Sequence, residues 1–165
     1  MNRSIAWLAL LLLTMVGSAS GHGEKHRESN HTESKSLTSP QMETYAQINQ
    51  AFLHDVKPIV DKKCYDCHGS GHKLPWYASV PIIKQLIEWD IAEAKEHLDM
   101  SDDYPFKGHG DKLEDMESLI ETIHYGSMPP IWYSLFHWDS RLSDGDEKKI
   151  IHWAQTSLKE LKKVE

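Results

Sequence analysis

Cysteine is scarce in this chain: Cys64 and Cys67 are the only two in 165 residues. That excludes the disulfide scaffold that holds many small exported domains together. No stretch alternates between apolar and polar with period two, which argues against a sandwich or barrel of strands. Positive charge is short as well, with 18 Lys and Arg against 25 Asp and Glu and a formal net charge of −7. Phosphate binding needs a basic footprint, so nucleic acid is not an expected partner. Only one long apolar run occurs, Ile5 to Val16, interrupted by Thr14. No later segment is apolar enough to span a bilayer. No internal repeat is visible.

The one apolar run follows Arg3 and precedes the small residues Gly17, Ser18, Ala19 and Ser20. Residues 1–20 therefore read as a signal peptide, with cleavage after Ala19 or Ser20. An uncleaved anchor is the alternative, but the run is short against the ~20 residues of a spanning helix. Export places the chain outside the cytoplasm, most simply in a bacterial periplasm, with no stable membrane insertion once the signal is removed. Losing Arg3 takes the charge from −7 to −8, a surface compatible with a basic or mixed-charge protein partner. Residues 21–41 are polar and hold His22, His26 and His31. They lack the apolar mass to order themselves and read as a disordered tether.

The folded domain is expected over residues 42–165, all-α. A first helix carries Tyr45, Ile48, Phe52 and Val56 inward and is broken or kinked at Pro58. Ile59 and Val60 lead into the cysteines. Residues 80–98 form a helix with Ile83, Ile87, Ile91, Ala94 and Leu98 on one stripe. Residues 111–126 form another, capped by Asp111 and Gly126, with Met116, Leu119, Ile120 and Ile123 inward. The last helix opens on the capping pair Ser143 and Asp146 and buries Ile150, Trp153, Ala154, Leu158 and Leu161. Residues 69–79, 99–110 and 127–142 read as ordered loops. Helices so interrupted carry little hydrophobic mass of their own, which suits a domain wrapped around a large apolar cofactor.

The stretch Lys62 to Gly71, KKCYDCHGSG, admits four chemistries. A disulfide between Cys64 and Cys67 would close a very short loop and contribute little chain entropy. A thioredoxin-type pair belongs in a strand–helix context that is missing here. A zinc site needs four ligands, and the second Cys pair is absent, although histidines could complete it. Covalent haem attachment uses every element: two thiols add across the haem vinyl groups, and His68 falls beneath the iron. One covalent haem c per chain is therefore the expected cofactor. A low-spin carrier needs a sixth ligand, for which methionine is a usual choice. Of Met42, Met100, Met116 and Met128, the last sits in YGSMPPIWY between a helix end and two prolines that stiffen the backbone. Met100, His97, His124 and His137 are the reserves. Met116 reads as core.

The segments VKPIVDKKCYDCHGSG, LPWYASVP, the pair Trp89–Asp90, KEHLDMS, SMPPIWYSLFH and LSDGDEKKIIHWA resemble the small bacterial haem-binding domain family of c-type cytochromes over about residues 50–160. The resemblance implies Cys64 and Cys67 as thioether attachments, His68 as proximal ligand and Met128 as distal ligand. The family pattern has Arg and Asn where this chain has Lys95 and Asp99. A carbonyl near Pro75 is the expected holder of the free His68 nitrogen. Trp76 and Tyr77 are expected to wall the pocket, and Trp132, Trp138 and Trp153 to lie in the core. The reading that follows is a soluble electron carrier exchanging electrons with redox partner proteins. A haem enzyme, or a peroxide or gas sensor with a labile sixth site, is the alternative, and a passive haem subunit of a larger redox complex is a third.

Overall fold

The computed structural model describes residues 37–165 except His72. The expected signal peptide and most of the expected tether lie outside the described residues. The described chain is all-helical, and its one β-like feature is the isolated bridge between Asp99 and Lys107.

Helix α1 (Ser39–Ala51) begins inside the segment expected to be tether. The reason is local: Thr38 and Gln41 form a capping box, and Pro40 sits in the first turn, where its missing N–H costs nothing. The chain does not break at Pro58. A π-helical turn over Phe52–Val56 carries α1 into α2 (Lys57–Lys63), and Pro58 falls in the first turn of α2. The widened turn takes up the carbonyl that the proline ring would otherwise meet. Cys64 closes α2, and α3 (Tyr65–His68) follows directly.

Helix α4 (Pro81–His97) is half anchored. Ile91 is buried and Ala94 is half-buried, but Ile82, Ile83 and Leu86 at the other end are exposed. Helices α5 (Lys112–His124) and α7 (Asp144–Leu161) make the main packed pair, joined by the π-helical turn. Their seam holds Met116, Ile123, Ile150, Trp153, Ala154 and Leu161, all buried, with Tyr104 edge-on to Trp153 and Phe52 and Phe106 tilted against it. Trp153 also donates its indole N–H to the Ile48 carbonyl at 3.2 Å. The caps expected at Asp111, and at Ser143 with Asp146, are formed.

The loop expected over 127–142 contains α6 (Ile131–Phe136) and a 3-10 turn over Trp138–Ser140. A six-residue helix opening on two prolines is too short to show a period in sequence. Two tryptophans expected in the core are not there: Trp132 is 48% exposed and Trp138 86% exposed.

Candidate functional site

The site is built by three pieces of backbone. The first is the turn at Cys64. Hydrogen bonds from Cys64 N to Val60 O (2.9 Å), Cys67 N to Cys64 O (3.1 Å) and His68 N to Cys64 O (3.0 Å) wind the motif helically. Both thiols and the imidazole consequently line one cavity.

The second piece is the end of α4. The Leu98 carbonyl, freed at the helix C-terminus, lies 2.8 Å from His68 Nδ1. This fixes the tautomer: Nδ1–H donates to Leu98, and Nε2 keeps its lone pair. The holder expected near Pro75 is thus Leu98 instead, because α4 brings its last turn back beneath the motif. Met100 N–H then donates to the His68 carbonyl at 2.8 Å. Burial pushes the His68 imidazole below its ordinary range, against the opposing backbone hydrogen bonds of Leu98 and Ala94.

The third piece is the end of α5. Gly126 adopts φ +62°, a left-handed conformation in which a side chain would be strained. Gly126 N bonds Ile123 O at 3.1 Å and Ser127 N bonds Thr122 O at 3.2 Å, the paired bonds of a Schellman motif. The chain is thereby turned so that Met128, Pro129, Pro130 and Tyr133 line the same cavity as the cysteines.

The cavity is about 340 Å³, within the range of small-molecule and cofactor clefts. Leu98, Met100, Leu119, Ile123 and Leu142 supply apolar wall, and His97, His109, Glu114 and Asp115 supply polar wall. His109 Nε2 and His97 Nδ1 are 2.8 Å apart. Asp115 is buried, and burial raises its carboxyl above the usual carboxylate range, helped by Asp111 and Glu114 and opposed by Lys112 and His109. Its tucked position needs Gly110, where a Cβ would meet Asp115 Oδ1 at 2.4 Å.

The thiols are free and neutral. Burial pushes Cys64 up to about 12, with Cys67 adding to the effect and Lys63 opposing it. Burial raises Cys67 too. A redox dithiol needs its thiolate stabilised, and at Cys64 burial outweighs both the neighbouring Lys63 and the start of α3. Among the described residues, no three His, Cys, Asp or Glu side chains converge as metal-ion ligands would, so a zinc knuckle lacks its donors. The donor set that does converge is two neutral thiols, an imidazole with its outer nitrogen tied down, and the thioethers of Met100 and Met128. It fits covalently held haem.

Other expected residues fall elsewhere. Pro75, Trp76 and Tyr77 do not line the cavity, and Trp76 is 87% exposed. Tyr77 packs on Phe136 and His137. Lys95 and Asp99 pair with each other at 3.7 Å, and Asp99 also accepts from Ser101 N at 2.8 Å. Neither residue is part of the lining. Met116 is core, Met42 is exposed, and His124 and His137 lie outside the lining. Sequence reasoning missed Asp66, Leu98, His109, Asp115 and Tyr133. Only Asp66, set between the two cysteines, carried a positional hint.

A search of the solved structures found no match. A region of 100 residues is 27% identical to the cytochrome c peroxidase Ccp of Escherichia coli K12, covering 56% of this chain and 20% of that protein. The chain thus spans about a fifth of that relative's length. A family model described as a haem-binding domain matches residues 25–156. With the Cys64–His68 motif lining a cavity closed by the Met128 loop, the chain belongs to the haem-binding domain family and is related to c-type cytochromes.

Proposed function

We propose that this chain is an exported monohaem c-type cytochrome that carries electrons. Cys64 and Cys67 hold the haem through thioether bonds, His68 Nε2 is the proximal ligand, and Met128 Sδ is the distal ligand. The bound haem supplies a one-electron iron couple. The chain's own groups orient it, exclude water from one face and set its potential. The observation that carries the reading is the His68 Nδ1 contact to Leu98 O at 2.8 Å, with Met128 lining the same cavity.

Two methionines line that cavity, and their anchoring separates them. Met100 follows Leu98 closely, and its N–H is bonded to His68 itself, so it belongs to the proximal wall. Met128 arrives from the α5–α6 connection, away from that anchor. This supports Met128 as the residue that caps the iron. Export rests on the character of residues 1–20. Among the described residues, no helix is long and apolar enough to cross a membrane. An acidic surface supports basic redox proteins as partners.

A second reading has one observation in its favour, the peroxidase named among the relatives. In it Met128, 41% exposed, leaves the iron readily, and the site binds peroxide or a small gas. The optical spectrum of the oxidised protein separates the two. Electron transfer predicts a low-spin spectrum with the weak long-wavelength band of methionine–iron ligation. High-spin features in the untreated protein would favour the labile site. Met128→Ala should keep its haem, lose that band and bind cyanide. Its potential should fall by more than ~60 mV, the equivalent of tenfold in a one-electron equilibrium. An unchanged spectrum and potential would return Met128 to a packing role.

A further inference from the structure

We propose that Asp66 and Tyr133 form a latch that positions the Met128 thioether over the haem iron. The proposal rests on the reading of Met128 as distal ligand. Asp66 stands between the two cysteines on α3, and Tyr133 stands five residues after Met128 on α6. The Tyr133 hydroxyl donates to Asp66 Oδ2 at 2.8 Å. Among the described residues this is the hydrogen bond that ties the Cys64–His68 segment to the Met128–Phe136 segment.

The tie matters because the other contacts of α6 lie at its far end, where Tyr77 packs on Phe136 and His137. Ile131, Trp132, Leu135 and Phe136 are all exposed, and Ser134 is the one buried residue of the helix. Its apolar side chains therefore do not fix it to the core. Beyond α6, Lys63 reaches the Asp139 carbonyl, which anchors the far end of the segment but not the end that carries Met128. Tyr133 is itself held in place. Its ring stacks on His137 at 4.1 Å and 13°, and its carbonyl accepts from His137 Nδ1 at 3.2 Å. A rigid aromatic, oriented from behind, thus meets a carboxylate fixed between the two thioether positions. Such a hydrogen bond to a charged acceptor is among the stronger ones. It sets the span between the wall that binds haem covalently and the loop that binds the iron reversibly.

The test uses the full-length haem-loaded protein. Tyr133→Phe and Asp66→Ala should keep covalent haem and helical content. Both should weaken the methionine–iron band and raise the affinity of the oxidised protein for cyanide about tenfold or more. Asp66→Asn retains an acceptor oxygen but not the charge and should fall between wild type and Asp66→Ala in both readouts. Leu135→Ala, an exposed change on the same helix, should alter nothing. The Asp66 pair keeps the question answerable if Tyr133→Phe does not fold. If wild type shows the band while Tyr133→Phe and Asp66→Ala match it in band and cyanide affinity, the latch is wrong and the ligand reading stands. A wild type without the band overturns the Met128 reading and the latch with it.

Discussion

A buried carboxyl at the cavity and a thioether in the core show what single side chains contribute here. Asp115 is buried at the edge of the cavity, and its carboxyl is raised by desolvation. A carboxyl whose folded pKa lies above its unfolded value contributes most at low pH, and that contribution is lost as pH rises through the folded value. Asp115→Asn should therefore raise the melting temperature at neutral pH. The gain should vanish below the ordinary carboxylate range, and thermal melts at several pH values would check it. Met116 is fully buried between α5 and α7. Met116→Ala should cost about 2–5 kcal/mol in denaturant unfolding while leaving the haem spectrum unchanged, because Met116 does not line the cavity. At this scale the sequence was informative where chemistry is local. Cys64, Cys67, His68 and the buried face of α7 could be read from spacing. The Leu98 carbonyl could not, because any backbone carbonyl is chemically alike and only the return of α4 selects it. Trp132 and Trp138 misled because apolar character says nothing about whether a covering neighbour exists.

Helices differ in how firmly the described core holds them. Helix α7 is capped at Ser143 and buries a continuous face, whereas the first half of α4 and most of α6 face outward. Amide hydrogen exchange should be slowest in α7 and α5. It should be much faster in residues 82–88 and in α6, since opening energies follow buried contacts. The start of α1 gives a sharper test. Thr38→Ala removes the side chain that caps Gln41 N and should cost about 1 kcal/mol. Periodicity revealed the long helices because each has a core-facing stripe. The π turn before Pro58 and the short α6 escaped, since a widened turn leaves no repeating pattern and six residues complete fewer than two turns.

In this chain of net charge −7, the described residues fold into helices that present a haem-type motif at a cavity lined from α2, α3, α4, α5 and the Met128 segment. In the proposed role, electron exchange with a basic protein partner should slow as salt is added, because screening weakens long-range steering. A rate independent of ionic strength would point to apolar docking. In the same proposed role, haem held in the cavity would complete the packing that the loops leave open. Covalent attachment at Cys64 and Cys67 underlies every role proposed above, and acid–acetone extraction of the denatured protein measures it. The haem should stay with the wild-type polypeptide and give the pyridine haemochrome of c type, and Cys64→Ala/Cys67→Ala should release it. Haem that extracts freely from the wild-type chain would rule out thioether attachment.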